Sequence, residues 1–485
     1  MTDAVDQRVA GTTPRRMALA TVVQGLARFA QLSTLAVASA LIARHEMASV
    51  LGTYGLAVLV LNLIQTCGDW GLTPIGAQAL VDGEPGVSPG GLVRIRAMVQ
   101  APIAGLCVVA TVIAWSTGHN DVATGLAAGA AAGVIGNLAA SMMAPFQAAH
   151  RTEVPAWIDV GSRVAGLGMV ILAIAAGAAG WVVVWTVPAM TLLDLLATAY
   201  AGHRRGFGVW EVDRSGAGRR LLRRATPLAV LNIFSVLYLR ANSLVVLAVL
   251  GTASLGAYSL VFRVVDVLVL APSLFLIVFF PVLVRLRSID LAGYRGACQQ
   301  AHDAFMAIGC ALTLATILAA HPLIRLLGGG EYLGAVTPLR ILAVAGLAGF
   351  ANALFSQLMI IEGLQATILR VSVVALAVNL GLSVLLVHTD QLNGAATAAA
   401  ISEILGAAMV IGIVSSRAKL GIRWRRSVLV VLGASAVTAA GLVAEHIGVS
   451  AIVTTVVGTM LFAGGWFGLQ GQQARALLAH YVRQG

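Results

Sequence analysis

Acidic residues, cysteine and lysine are scarce in this chain, and each scarcity closes off a class of function. Only 20 of the 485 residues are Asp or Glu, and only 11% are charged at all, whereas a soluble globular domain is about one quarter charged. Hydrophobic residues make up 59%, with a mean hydropathy of +0.91. A soluble protein of this size does not carry that balance, so the chain is a polytopic membrane protein. The four cysteines, Cys67, Cys107, Cys298 and Cys310, show no C-x-x-C spacing and no histidine cluster beside them. Neither a disulfide framework nor a zinc site is indicated, and the cysteines read as small apolar residues. Lys419 is the only lysine, so the Lys-containing Walker loop is missing, as is HExxH. ATP-driven transport within the chain and hydrolase chemistry both lack support. Membrane glycosyltransferases call for paired acids in an outer loop, and the first outer loop offers only Glu46. No catalytic set and no metal site is expected.

What the chain has in quantity is long apolar runs. A helix needs about 20 mainly apolar residues to cross a ~30 Å hydrocarbon layer. Breaks at charge, Gly or Pro then give an all-α protein of about fourteen transmembrane helices. They fall near 17–43, 50–70, 94–116, 122–146, 154–178, 181–202, 226–250, 255–284, 304–320, 338–360, 367–388, 394–415, 428–444 and 450–469. The first follows Arg15-Arg16 but is too long, and too polar at Gln24, Arg28 and Gln31, for a secretion signal, so it is expected to stay uncleaved.

The formal charge of +11 raises the question of nucleic acid, but the basic residues sit in short gaps between apolar runs. There they set orientation and meet anionic headgroups, so membrane lipids are the expected partner and nucleic acid is not. With both termini on one face, 24 of the 31 Lys and Arg fall on that face. The opposite face receives only Arg44, Arg325 and Arg340, while Arg28, Arg163, Arg240 and Arg263 lie inside helices. The positive-inside rule makes the termini cytoplasmic.

The densest basic segment, 203–225, reads as a cytoplasmic linker between an N-lobe at 17–202 and a C-lobe at 226–415. Tails at 1–16 and 470–485 and a last helix pair within 416–469, preceded by a basic loop, complete the division. An internal repeat supports two halves: Leu51-Gly52-Thr53-Tyr54-Gly55-Leu56 opens the second helix and Leu255-Gly256-Ala257-Tyr258-Ser259-Leu260 the eighth. Two six-helix halves with the same in-out sense suggest parallel repeats with a site between them.

Charge inside such helices is costly, at about 2.5–3.5 kcal/mol for Arg or Asp near mid-membrane. On the first helix Thr21, Gln24, Arg28 and Gln31 recur every three or four residues and form one polar stripe. Asn62, Gln65 and Asp69 do so on the second helix, and Ser259, Arg263 and Asp266 on the eighth. On the seventh, Asn232, Ser235, Tyr238 and Asn242 align while Arg240 points nearly opposite. One reading is a cationic, hydrated cavity in which Arg28, Arg240 and Arg263 grip phosphate oxygens with planar forks. The other is structural, each Arg answering a carboxylate or carbonyl, with Arg263 and Asp266 as an i,i+3 pair. Asp159 and Arg163 read as a structural i,i+4 pair. Asp194 and Glu403 stand alone in the sixth and twelfth helices, either as ion-coupling sites for H+ or Na+ or as buried neutral acids. No other cofactor is expected.

The run LGTYGLAVLVLNLIQTCGDWGL, the stretch from ATPLAVLNIFSVLYLRANSLVV to FLIVFFPVL, and LLGGGEYLGAVTPLRILAVAGL together resemble the polysaccharide transporter, or Wzx-type flippase, family of the multidrug/oligosaccharidyl-lipid/polysaccharide (MOP) superfamily. The resemblance implies two pseudo-symmetric six-helix lobes in a V with two added helices. It also implies alternating access in a bacterial inner membrane, carrying an undecaprenyl-pyrophosphate-linked oligosaccharide outward. In that picture Arg28, Arg240 and Arg263 hold the pyrophosphate. Gln24, Gln31, Asn62, Asp69, Asp266 and Asn242 line the same substrate site. A polysaccharide polymerase and glycosyltransferases are the implied partners. Where such proteins often carry an acid after the seventh-helix arginine, this chain has Asn242, so no cation coupling carries over there. A lipid II flippase, a MATE-like small-molecule antiporter and a non-transporting scaffold for polysaccharide assembly are the alternatives.

Overall fold

The computed structural model describes residues 14–149, 151, 153–206, 217–418 and 420–466, and these form helices joined by short turns. Among them no strand occurs. That outcome follows from the solvent, since hydrocarbon cannot hydrogen-bond a backbone and a helix satisfies its own N–H and C=O groups. Among the described residues ten spans are long and apolar enough to cross a membrane, and Ala451–Trp466 is a shorter apolar helix. The two longest helices are each two helices joined at a break. In Ala217–Ile289 the break is Gly251, at φ 82° and ψ −174°, and in Gln365–Ala418 it is Asp390-Gln391. A φ of that sign suits glycine, which has no Cβ to clash.

The structure also adds helix where composition suggested loop. Leu72–Val81 is a ten-residue helix after a turn in which Trp70 and Gly71 both take left-handed φ. Leu291–Gly328 begins well before the expected 304, capped by the Asp290 carboxylate accepting from Ala292 N at 3.0 Å. Of the expected linker 203–225, residues 217–225 open the helix Ala217–Ile289, while 207–216 lie outside the described residues.

The chain divides into two compact units, one running to Arg240 and including Leu250–Ser259, the other formed by Ala241–Val249 and the residues from Leu260 onward. The first unit is centred on Ala48–Asp69 and Asn120–Ala148. The span 48–81 has 67% of its most apolar window buried, whereas Pro89–Ser116 has 11% and faces outward. Close approach explains the centre. Gly129 on the helix Asn120–Ala148 sits where a Cβ would lie 2.6 Å from the Ala57 carbonyl oxygen, and a Cβ on Gly133 would lie 2.6 Å from the Ile64 Cβ. Small residues on one face let two helix backbones touch, which is how apolar helices gain packing energy where lipid is as apolar as they are. The repeat copies use the same device on each other: a Cβ on Gly52 would overlap the Thr252 carbonyl, and one on Gly256 would lie 2.7 Å from the Ala48 carbonyl.

The outward surface of this unit is apolar between aromatic ends. Trp115 and Trp181 are exposed at one set of helix ends, Trp157 and Tyr200 at the other. Amphipathic rings favour those two depths at a bilayer interface. Together with the ten spans, this makes the chain a multi-pass membrane protein.

The second unit packs around Tyr294, Cys298, Phe305, Phe350, Phe355 and their neighbours, with Phe275, Phe279 and Phe350 each edge-on to Phe305. Arg287 closes it with a bidentate bond to Glu362 at 2.8 and 3.0 Å, which raises the guanidinium above its ordinary value. Its helix Trp424–His446 is fixed at both ends. At one, His302 bonds Ser427 at 2.7 Å while Trp424 stacks on Phe355. At the other, Arg340 meets Glu445 at 3.1 Å, and Thr454 of the last helix donates to the same carboxylate at 3.3 Å.

Replacing Gly129 with Ala is expected to lower stability by about 1–3 kcal/mol through overpacking. Gly168→Ala, on a helix face with nothing within 4 Å, should raise it by up to about 1 kcal/mol through helix propensity. Thermal unfolding of both variants in detergent checks the contrast.

Candidate functional site

Two arginines of the first unit separate structural from functional charge. Arg96 is 2% exposed, near the start of Pro89–Ser116. Its Nη2 donates to Asp69 and to Thr73 Oγ1, and its Nη1 to Asn137 O at 3.2 Å and Ser141 Oγ at 2.9 Å. Four helices thus meet on one guanidinium. Asp69, expected in the substrate site, has its carboxylate engaged here and accepts from Thr73 as well. Sequence reasoning missed Arg96, because position alone made it a basic residue at a helix end. Asn137 joins the network, donating to Ile64 O at 2.8 Å.

Arg28 is the contrasting case. It is exposed, about midway along Pro14–His45, and donates to Gln31 Oε1 at 2.7 Å. Both line a cavity of about 370 Å³ whose other polar walls are Gln147, Asp159, Asp194 and Thr198. The cavity draws on four helices of the first unit. Asp159 is held by Arg163, whose Nε lies 3.0 and 3.1 Å from its two carboxylate oxygens. Asp194 lies within electrostatic reach of both. Arg28 and Gln31, named from one stripe, and Asp194, named from its isolation on another helix, are therefore brought together, and Asp159, read as purely structural, joins them. The side chain of Gln24, on the same stripe, lies outside the described residues. Asn62 turns to its own helix, donating to Val58 O at 2.7 Å.

In the second unit Arg263 is 7% exposed, with its Nη1 3.5 Å from Asp266 Oδ2. Asn242, 2% exposed, accepts from Ser383. Glu403 accepts from Asn352 at 3.0 Å, and Ser356 donates to that Asn352 at 3.2 Å, so the acid belongs to a hydrogen-bonded chain. Arg240 is half-buried and ends the first stretch of the first unit. Among the described residues no group of three or more His, Cys, Asp or Glu could hold a metal, and no disulfide forms. Gly86-Val87-Ser88-Pro89-Gly90 has the GxSxG spacing of a hydrolase elbow. Such an elbow needs a strand before its serine, and here Ser88 caps a helix, accepting from Gly91 N at 3.1 Å.

The comparisons with known proteins agree with this architecture. The model of a family described as polysaccharide biosynthesis protein matches residues 41–337. No curated protein matches the sequence. Among solved structures the fold is similar to the lipid II flippase MurJ in an inward closed conformation, at 11% identity and TM-score 0.69, over 92% of this chain and 99% of that one. It is similar also to the Vibrio cholerae MATE transporter VcmN, at 16% identity and TM-score 0.59, over 83% and 97%. A multidrug resistance MATE family transporter of the MOP superfamily, in an inward-facing conformation, gives 14% identity and TM-score 0.59, over 84% and 97%. At these identities the likeness is one of fold.

Replacing Arg96 with Met should cost up to about 3 kcal/mol, because it leaves the half-buried Asp69 carboxylate with the Thr73 hydroxyl but no cation. The double variant Arg96→Met/Asp69→Leu should recover most of that loss. Unfolding temperatures of the single and double variants in nanodiscs measure it.

Proposed function

Because the chain belongs to the polysaccharide biosynthesis protein family, within the MOP superfamily, we propose that it is a flippase for a lipid-linked saccharide. It is a membrane transporter and not an enzyme. The cargo in this reading is an undecaprenyl-pyrophosphate-linked oligosaccharide, moved from the cytoplasmic to the outer leaflet of a bacterial inner membrane by alternating access. The observation that carries the reading is the cavity where exposed Arg28 stands beside Gln31 at mid-helix. An arginine kept at membrane depth without a carboxylate partner of the Arg96 kind suits an anionic ligand that comes and goes.

In this mechanism Arg28, Arg240 and Arg263 bind the headgroup diphosphate, with Asp266 setting the position of Arg263 through the i,i+3 contact. Gln24, Gln31, Asn62 and Asn242 offer amides to sugar hydroxyls, and the prenyl tail stays in lipid. Alternating access exposes the headgroup to each side in turn. Both termini are cytoplasmic in this reading, and a polysaccharide polymerase and glycosyltransferases act beside the chain. The carboxylates Asp159 and Asp194 in the cavity favour one second reading, a cation-coupled antiporter of small organic cations.

Flipping of a fluorescent lipid-pyrophosphate oligosaccharide in liposomes holding the purified protein distinguishes the two. Arg240→Ala and Arg263→Ala variants that remain folded should flip roughly 10–100-fold more slowly, the worth of a lost charge-assisted hydrogen bond. If wild type moves none of a panel of such lipids but exports an organic cation along an ion gradient, the antiporter reading replaces this one.

A further inference from the structure

The cavity inside the first unit holds more charge than headgroup binding requires. Arg28, Asp159 and Asp194 line it, and Arg163 takes both oxygens of Asp159. Asp194 feels the opposed charges of Asp159 and Arg163, and it shares the cavity wall with Arg28. Among the described residues no donor lies within hydrogen-bonding distance of Asp194. Among the described residues no other ionisable side chain lines the cavity, and Glu153 lies at the start of the helix that carries Asp159. Asn120–Ala148 contributes Gln147, with its one acid, Asp121, at the far end, and on Ala48–Asp69 the Asp69 carboxylate is taken by Arg96. On its own helix, His203 and Arg204 lie at the C-terminal end.

A diphosphate seated on Arg28 would add like charge beside an unanswered carboxylate in a poorly solvated space, and a neighbouring like charge favours the protonated acid. We propose that this cavity is a proton-linked anion site, in which Asp194 takes up a proton when a diphosphate occupies Arg28. The inference rests on the headgroup reading above and adds a stoichiometry to it. The loaded cavity then carries one negative charge fewer than its ligand brings. Arg28 touches the ligand, while Asp194 acts through the field it imposes on that ligand.

Linkage sets the size of the effect. One linked proton tightens binding by up to about tenfold for each pH unit lowered, across the range in which the carboxylate titrates only in the loaded state. The full chain in phosphatidylcholine nanodiscs is titrated calorimetrically with undecaprenyl diphosphate and, separately, with inorganic pyrophosphate. Buffers of different ionisation enthalpy give the protons taken up per ligand bound. The ligand's own titration is common to all variants, so the readout is the difference between them. Wild type should take up close to one proton more than Asp194→Asn, and the variant should bind tighter at pH 8 with a flatter pH dependence. Asp194→Glu should restore the extra proton, which a merely structural role for the side chain would not require. Arg28→Ala should abolish the linked binding. Linkage with both probes assigns the site to the diphosphate itself, and linkage with the lipid alone assigns it to a membrane-borne headgroup. Equal proton counts in wild type and Asp194→Asn overturn this inference and leave the headgroup reading standing. If neither probe binds wild type at any pH, both fail.

Discussion

A guanidinium with 2% of its surface exposed holds the first unit together. Arg96 joins the end of Ala48–Asp69, the short helix Leu72–Val81, its own helix and Asn120–Ala148. A charge in a water-free interior is tolerable only when its hydrogen bonds are met, so each partner is held where the arginine needs it. The glycine contacts a few turns away make this possible, because they bring the two central helices close enough for Asn137 to reach the carbonyl of Ile64. Close backbone approach and the satisfied charge are two parts of one constraint: polar groups placed inside an apolar bundle must be answered by the bundle.

That constraint also sorts the remaining charges. Arg287 with Glu362 and Arg340 with Glu445 each tie together helices that are not consecutive in the chain, near their ends. Arg28 follows a different rule: it is exposed, it donates to the neutral amide of Gln31, and a cavity lies in front of it. The same side chain serves as rivet or as receptor according to whether its neighbours leave anything for a ligand to do.

Much of the fold was legible because hydrocarbon permits so little else. Run length located the long apolar helices, though not their exact number, since a lipid-exposed segment has only helix available to satisfy its backbone. The stripe of Arg28 and Gln31 was legible from a spacing of three, and Asp194 from its isolation in an apolar run. What spacing could not carry was distance across the bundle. Arg96 looked like an ordinary end-of-helix charge because the groups that bury it lie about forty residues further on. Gly129 and Gly133 stand four apart in plain view, and small residues so spaced do signal close approach. Nothing local says which helix approaches, and Leu72–Val81 was hidden because ten apolar residues are too few to span.

The contact between the two repeat copies carries a consequence for sequence change. Gly52 faces the backbone at 252 and 256, and Gly256 faces the backbone at 48 and 52, positions that correspond when one copy is laid over the other. Two codons 204 residues apart therefore draw on the same gap. A drift toward a larger residue at either position narrows what the other can hold, so the two sites can change only together at this crossing, however freely their surroundings vary.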